Sequence, residues 1–263
     1  MWCAFALIAA LSLPACVEIN LFPPSEDVRL GAELDREIRA NTRQYRILQN
    51  PQAQQYVQSI VDRLIAAPDI RYRGTFAYRV TLLQDDQTIN AFCTPGGYIY
   101  VYTGLLKFLD NEATLAAVLA HEIAHAERRH ATERMTKALG AQLLTDILLG
   151  KRPDRTAELV ANLFTGLALL ANSRSDEAEA DEFSFRYLRS TPWYPGALVF
   201  FFEKLAQQRQ SRLPALERLL STHPLPEDRV EAMRKRIRDA ALPPPTEQNL
   251  RAQPYREFLR TLP

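Results

Sequence analysis

The feature that most constrains this chain is the stretch Leu115–Arg134, which is apolar on nearly every side yet carries two histidines and a glutamate. His121 and His125 stand four residues apart, so on an α-helix both imidazoles project from one face and can reach one ion. Glu122 lies about 100° around the helix from His121, close enough to act on a metal-bound water without being a ligand. A solvated helix face would explain the charges, but a buried helix keeps such groups only if something satisfies them. The stretch therefore predicts a zinc site of the HExxH type.

The third zinc ligand has to come from another part of the chain. Arg128 and Ala131 stand where the metzincin continuation of HExxH has glycine and histidine. His130 does not replace that histidine, because on a continuous helix it lies about 180° from His121. We therefore predict that His130 is a surface residue.

An acidic run, Ser173–Asp181, supplies the best candidate for this ligand. Glu177 and Asp181 are four residues apart and share a helix face, so Glu177 can bind the metal while Asp181 accepts the spare N–H of a ligand histidine. Taken alone, the run would also suit an ordinary helix N-terminus, where carboxylates interact favourably with the helix dipole. Together with HExxH, it predicts Glu177 as the third ligand and one Zn²⁺ per chain.

Four motifs occur in a fixed order, and the resemblance that they carry extends over most of the chain, from about Asp27 to Arg238. They are Asn90–Val101, His121–His125, Arg174-x-x-Glu177-x-x-Ala180-Asp181 and Ser221–Pro224. In this order they resemble the HtpX/BepA/LoiP-type zinc metallopeptidases, which are gluzincins related to the CAAX prenyl proteases. The resemblance implies an α+β, mainly α, zincin-like fold with a small sheet or β-hairpin beside the HExxH helix. It also implies a metalloendopeptidase with Glu122 as its general base.

The resemblance assigns roles to residues outside the ligand set. His223 would face the metal, either stabilising the oxyanion of the tetrahedral intermediate or ligating zinc reversibly, and the sequence leaves both roles open. Asp181 and Arg174 would support the ligands. An extended substrate would add as a strand beside the active-site helix. The residues expected to contact this substrate are Asn90, Ala91, Phe92, Gly96, Gly97 and Tyr98.

Composition limits the other classes of function. The 263 residues, 47% of them hydrophobic, suffice for one sizeable core. The net charge is +1 with acids and bases interspersed, so no basic stripe indicates a nucleic-acid partner.

Two further patterns predict strands. The alternation of hydrophobic residues predicts a strand over 71–84, and Pro95–Gly96 predicts the turn of a hairpin over 90–102.

The first 16 residues are typical of a signal peptide. The apolar core Ala4–Leu13 is too short for a permanent membrane span. It leads into Leu13–Cys16, which resembles a bacterial lipoprotein signal with the lipid on Cys16. The alternative is an ordinary cleaved signal in which Cys16 is incidental. If Cys16 carries a lipid, we expect the protein to lie on the periplasmic side of the outer membrane. If it does not, we expect the protein in the periplasm.

The rest of the chain divides into a tether over 17–24, a peptidase domain over 25–241, and a Pro-rich break with a tail over 242–263. The apolar runs 138–149 and 159–171 correspond to membrane-spanning segments of integral-membrane relatives. Here they are shorter than the roughly 20 residues that a span requires, and polar residues interrupt them, so we predict two soluble helices.

The expected partners are unfolded or misassembled envelope polypeptides as substrates, the membrane through the lipid, and the envelope assembly machinery. The alternative function is an outer-membrane protein assembly factor or holdase whose zinc site is latched or structural. Glu122 argues against this alternative, because a structural site needs no unligated carboxylate beside its metal.

Overall fold

The computed structural model describes residues 20–138, 172–209, 214–224 and 227–263. The helices are α1 (Pro24–Ala40), α2 (Pro51–Leu64), α3 (Thr103–Phe108), α4 (Glu112–Glu127), α5 (described over 130–138), α6 (Arg174–Leu188), α7 (Leu198–Arg209), α8 (Glu217–Thr222), α9 (Glu227–Asp239), α10 (Glu247–Leu250) and α11 (Ala252–Leu259). The strands are β1 (Arg79–Leu83), β2 (Ala91–Thr94) and β3 (Tyr98–Tyr102). The α+β, mainly helical fold expected from the sequence is confirmed.

The sheet has the strand order β1-β3-β2, with β1 parallel and β2 antiparallel to β3. The expected hairpin is present, and β2 and β3 are joined by the turn Pro95–Gly97, in which Gly96 has a φ of 72°. The strand predicted over 71–84 is shorter than expected. Tyr78 adopts a φ of 41° and interrupts the extended backbone, so the strand begins at Arg79. In this order β2 is left at an edge, next to α4.

The helix α4 lies at the centre of the core, and all of its residues are buried. It begins after Asn111, whose side-chain oxygen accepts a hydrogen bond from the Thr114 N–H (2.9 Å) and so satisfies one free amide of the first turn. The helix packs against α6, α2, α7, β2 and α11. A helix without a solvent face has to satisfy every polar side chain within the protein.

The helix α1 covers the other face of the hairpin. Side chains alternate along β3, which points its aliphatic residues into the main core and its tyrosines toward α1. Asp35 of α1 accepts a hydrogen bond from the Tyr100 hydroxyl (2.8 Å). Gly31 packs so closely on the hairpin turn that a Cβ atom there would collide with the Pro95 carbonyl oxygen. The turn is therefore held beneath α1.

The segment expected as a tail, 242–263, ends in two helices that pack on the main core. Tyr255 is completely buried and Phe258 nearly so. Arg251 lies 2.5 Å from the carboxylate of Glu112, in the first turn of α4. These contacts make the tail a support for the N-terminal end of the central helix.

The segment expected as a tether is held against the protein where it is described. Phe22 is buried, and the Asn20 side chain donates a hydrogen bond to the Thr132 hydroxyl (2.9 Å). The reason is that α1 begins at Pro24 and brings the preceding residues onto α5. The structure therefore shows 20–24 as a packed segment rather than a free linker.

Two groups of expectations lie outside the described residues. The first is the signal peptide over 1–16 with the lipid on Cys16. The second is the pair of helices over 138–149 and 159–171, of which only residue 138 is described. Within the described ranges, every helix falls short of the length and hydropathy that crossing a membrane requires.

Replacing Gly31 with alanine should destabilise the protein. In an exposed helix interior this change normally stabilises by about 0.8–1 kcal/mol, but here the new Cβ meets the Pro95 carbonyl oxygen. We expect the free energy of unfolding, measured by urea denaturation, to fall by about 1–3 kcal/mol. Arg36→Ala, an exposed position on the same helix, is the matched control and should change it little. A Gly31→Ala protein as stable as the wild type would contradict this packing of α1.

Candidate metal centre

The centre is built on α4, which brings His121 and His125 together. The two residues are four apart and project from one face, and their Nε2 atoms lie 3.0 Å apart. Glu177 comes from the first turn of α6 and faces both rings. Its carboxylate oxygens lie 3.4 Å from His121 Nε2 and 3.3 Å from His125 Nε2. All three residues are buried, so the HExxH histidines and the expected third ligand meet at one enclosed point.

The start of α6 explains why Glu177 turns inward. The Ser173 hydroxyl accepts a hydrogen bond from the Asp176 N–H, and the Asp176 carboxylate accepts one from the Ser173 N–H, both at 3.1 Å. This is a capping box, and it uses the first carboxylate of the run. The next one, Glu177, is left to enter the core, where it is completely buried. The acidic run therefore both begins a helix and places a buried carboxylate beside the two histidines.

An ion-pair network behind the centre orients His121. The Nδ1 atom of His121 lies 3.0 Å from Asp181 Oδ1, one turn beyond Glu177 on α6. Arg229, from α9, donates hydrogen bonds to both oxygens of Asp181 (2.7 and 2.8 Å) and lies 2.6 Å from Glu177 Oε2. A single buried guanidinium thus holds both carboxylates.

His223 follows α8 and closes another side of the centre. Its Nδ1 lies 2.9 Å from Glu177 Oε1, and its Nε2 lies 3.6 Å from Glu122 Oε1. The side chain of Asn172 donates a hydrogen bond to the same Glu177 oxygen (2.6 Å). The backbone N–H of Cys93, in β2, donates one to the Glu122 carboxylate. Glu122 therefore lies between the edge strand and the ring of His223.

The pKa values in the centre reflect burial and the two carboxylates. Burial lowers the pKa of His121, but Glu177 and Asp181 outweigh it and raise that pKa to about 10. At His125 burial prevails, and the pKa lies well below its ordinary value. Burial also raises the pKa of Glu122. The carboxylates thus favour positive charge on the His121 ring, whereas burial disfavours it on the His125 ring.

The residues fit a zinc ion. Four of them can each offer one ligand atom, and these atoms all lie within 4.8 Å of one another: His121, His125, Glu177 and His223. Two imidazole nitrogens and one carboxylate oxygen form the donor set of one class of catalytic zinc site, in which a fourth position stays open. Two facing Nε2 atoms can share only one proton, whereas a cation between them satisfies both.

The structure brings six of the expected site residues together, namely His121, Glu122, His125, Glu177, Asp181 and His223. Arg174 is not among them. It is exposed at the start of α6 and has no hydrogen-bond or ion-pair partner among the described residues. Side chains lean toward the N-terminus of a helix, so Arg174 projects beyond the first turn into solvent.

Arg229 occupies the supporting position that the sequence analysis gives to Arg174. The signal that could have identified it is its spacing on α9. Arg229 stands four residues before Met233, a core residue, so it lies on the buried face of that helix. An arginine in such a place requires a buried acid as its partner. Asn172 had no comparable signal in the sequence.

Only part of the expected substrate hairpin reaches the cleft. A cavity of about 550 Å³ runs from the centre between β2 and α1, and Asn90 and Phe92 line it. Ala91 borders a smaller cavity beside Glu122. The other members of the set pack beneath α1 or against the loop before β1, and these are Gly96, Gly97 and Tyr98. The turn of the hairpin therefore serves packing, and its edge strand faces the cleft.

The prediction that His130 lies at the surface is wrong. It is 1% exposed, and its Nδ1 lies 2.8 Å from His125 Nδ1. The prediction assumes a continuous helix, but α4 ends at Glu127 and Arg129 adopts a φ of 60° before α5 begins. This break turns His130 back toward the centre. Its Nε2 lies 2.9 Å from Glu179 Oε2.

The sequence matches known proteins over most of its length. The model of Peptidase family M48 matches residues 51–237. The beta-barrel assembly-enhancing protease of Escherichia coli (strain K12) is 30% identical over 80% of this chain and 44% of that protein. The mitochondrial metalloendopeptidase OMA1 of Arabidopsis thaliana is 35% identical over 54% of this chain and 28% of its own length. Metalloprotease LoiP of Escherichia coli (strain K12) is 31% identical over 61% of this chain and 62% of its own length. The chain spans less than half the length of the beta-barrel assembly-enhancing proteases that it matches.

Replacing Arg229 with methionine should destabilise the metal-free protein, because Asp181 and Glu177 then lose their buried counter-charge. We expect the free energy of unfolding in urea to fall by about 3–5 kcal/mol, the usual cost of breaking a buried pair. Arg238→Met, an exposed position on the same helix, is the matched control and should have little effect. A loss in Arg229→Met no larger than that of the control would contradict the network.

Proposed function

The chain belongs to peptidase family M48, whose model matches well over half of it, and we propose that it is a zinc-dependent endopeptidase with its active site at the centre between α4 and α6. The resemblance to the BepA and LoiP proteins seen in the motifs is confirmed by the comparisons. Relatives named as a metalloendopeptidase and a metalloprotease support the proposed activity.

The observation that carries the proposal is the position of Glu122. His121, His125 and Glu177 converge as a ligand set, and Glu122 lies beside them without joining it. Its carboxylate is 3.6 Å from His223 Nε2 and borders the cleft. A purely structural zinc site has no use for a free carboxylate at this place, whereas a hydrolytic site needs a general base there.

In this proposal His121, His125 and Glu177 hold one Zn²⁺ per chain. The bound ion would polarise the peptide carbonyl and lower the pKa of a water toward about 7. Glu122 accepts a proton from the attacking water and returns it to the amine nitrogen as the C–N bond breaks. Burial raises the pKa of Glu122, and this favours the uptake of that proton.

His223 would stabilise the negative charge that develops on the carbonyl oxygen. Its Nδ1 is held against Glu177 (2.9 Å), which orients the ring, and its Nε2 faces the Glu122 side of the centre. A polar group that is oriented in advance in a buried site acts most strongly where charge develops. Its other role, as a reversible fourth ligand, is supported by the closeness of a His223 ring nitrogen to the other three ligand atoms.

Substrate would bind as an extended strand along β2. This strand is an edge of the sheet, and its residues line the cavity of about 550 Å³ that leads to Glu122. Main-chain pairing holds a peptide with little demand on its side chains. Asn90 and Phe92 line the same cavity and would contact the bound chain. Unfolded polypeptides offer such extended segments, which supports them as the substrate class.

The physiological substrates would be misfolded or misassembled polypeptides of a bacterial cell envelope, with the envelope assembly machinery as a further partner. The support is the relatives named beta-barrel assembly-enhancing protease and the lipoprotein-like segment that ends at Cys16. With a lipid on Cys16 the protein would lie on the periplasmic side of the outer membrane, and without it in the periplasm.

The alternative is an assembly factor or holdase for outer-membrane proteins whose zinc is latched by His223 or only structural. The contact between His223 and the ligand set favours this alternative. A Glu122→Gln variant that fully replaces the wild type in cells lacking the gene would support it, because the assembly role does not need the general base.

Glu122→Gln should abolish cleavage of an unfolded protein such as casein while leaving the zinc content near one per chain. The amide keeps the shape of the side chain but cannot take a proton from water. Zinc is measured by metal analysis of the purified protein, and cleavage by gel electrophoresis. Equal cleavage by variant and wild type would refute the role of Glu122, and absence of zinc from both proteins would refute the centre itself.

Glu127→Gln is the matched control for this experiment. Glu127 is another buried carboxylate of α4, but it accepts hydrogen bonds from the Arg71 and Tyr72 N–H groups (2.8 and 3.2 Å), away from the centre. We expect this variant to bind zinc and to cleave casein. A loss of cleavage in both variants would point to damage to α4 rather than to loss of a base.

His223→Ala should lower kcat about 100- to 1,000-fold with zinc retained, the usual effect of removing one donor that stabilises an oxyanion. KM should change little, because the contact forms as charge develops. Steady-state kinetics on a fluorogenic peptide give both constants. A rise in kcat would contradict this role and assign His223 to the latch.

A further inference from the structure

We infer that His130 and Glu179 are positioning residues for His125. They fix which of the two ring nitrogens of His125 carries the proton, and so they leave the other nitrogen free to bind the metal. The inference rests on the zinc centre proposed above and extends it to two residues outside the ligand set. It is carried by a line of contacts that the break between α4 and α5 creates.

The three side chains touch in sequence from the centre outward. His125 Nδ1 lies 2.8 Å from His130 Nδ1, and His130 Nε2 lies 2.9 Å from Glu179 Oε2. His130 is 1% exposed, so its ring is shielded from solvent. Glu179 is partly exposed and also pairs with Arg128 (2.9 Å). The line therefore runs from a buried imidazole to a carboxylate at the protein surface.

Hydrogen-bond chemistry leaves one arrangement of protons when the centre holds a metal. His125 faces His121 and Glu177 through Nε2, which has to be unprotonated to bind, so a neutral ring carries its proton on Nδ1. That N–H requires an acceptor, and His130 Nδ1 lies in position to be one. His130 must then carry its own proton on Nε2, where Glu179 accepts it. Every N–H group along these three side chains then faces an acceptor. If one proton moved to the other nitrogen of its ring, a donor would lack an acceptor or an acceptor would lack a donor.

His130 is held in place by the contacts that the residues next to it in the chain make. Arg129 has a φ of 60°, in the left-handed region that residues other than glycine seldom adopt. Its Nε donates a hydrogen bond to one oxygen of Asp27 (2.9 Å), and the Thr132 hydroxyl donates to the other (3.0 Å). Asp27 belongs to α1, so this helix fixes the first turn of α5 and with it the ring that faces His125.

The two ligand histidines are supported differently. His121 is backed directly by Asp181, a buried carboxylate, whereas His125 is backed by another imidazole ring with its carboxylate one step further out. Removing His130 leaves a buried N–H without an acceptor. Removing Glu179 lets water reach the outer nitrogen of His130, because this end of the line is partly exposed. The loss of the His130 ring should therefore weaken zinc binding more than the loss of the Glu179 carboxylate does.

The test is the zinc dissociation constant of the full chain, measured by competition with a chromogenic chelator, together with thermal unfolding of the metal-free protein. We expect His130→Leu to raise this constant about 10- to 100-fold, the usual effect of removing a partner of a metal-binding histidine. His130→Asn keeps an oxygen near the position of Nδ1 and should recover part of the loss. Glu179→Ala should raise the constant less than His130→Leu does, and Glu179→Gln less again.

Ser184→Ala is the matched control. Ser184 is completely buried on the same helix as Glu179 and donates a hydrogen bond to the Ala117 carbonyl oxygen (2.9 Å) rather than to the centre. This variant should lower the unfolding temperature and leave zinc binding unchanged. A His130→Leu protein that binds zinc as tightly as the wild type would overturn the inference, as would an equal loss of affinity in Ser184→Ala.

If His130→Leu does not fold, Glu179→Ala and His130→Asn decide the matter, and wild-type zinc affinity in both would overturn the inference. A wild-type chain that binds no zinc would instead refute the proposed function. The two failures are thus distinguishable, since only the second removes the metal from the unaltered protein.

Discussion

Complete burial of α4 is the constraint on which the rest of the structure depends. A helix with no solvent face must satisfy each polar side chain inside the protein. At its first turn Glu112 meets Arg251 of the tail, and at its last turn Glu127 accepts a hydrogen bond from the Tyr78 hydroxyl. Between them the polar residues of His121–His125 have to be satisfied by side chains from other elements. The packing of α6, α9 and the edge strand around α4 follows from this requirement.

The centre combines strong charges with a low-dielectric interior, and its stability depends on their arrangement. Two carboxylates of α6 enter the core, and one guanidinium, that of Arg229, holds both of them. The same carboxylates favour positive charge on His121, as the raised pKa of this residue indicates. A metal ion supplies that charge without a proton. A site built in this way would tie metal binding to the packing of three helices.

The parts of the hairpin have different roles, since some of them pack against α1 and one strand borders the cleft. Its turn and the tyrosine face of β3 are covered by α1, whereas β2 keeps an open edge beside Glu122. An edge strand with unpaired main-chain groups would ordinarily invite aggregation. Here it lies inside a cleft, and the strand that we propose to add there is the substrate. The structural role of Gly96 and the proposed binding role of Asn90 thus belong to opposite ends of one small element.

The sequence by itself determined that His121 and His125 share one helix face, because residues four apart project from the same side of any α-helix. It also predicted the mainly helical fold, and it predicted Glu122 and Glu177 as the carboxylates that lie beside the two histidines. Tertiary structure decided the rest. Arg229 reaches the centre from a helix distant in sequence, and Arg174, close in sequence, points away from it. His130 could not be placed, because the break at Arg129 depends on an ion pair with α1 rather than on local propensity. Local periodicity fixes residues that share a helix, whereas contacts between helices depend on how the whole core packs.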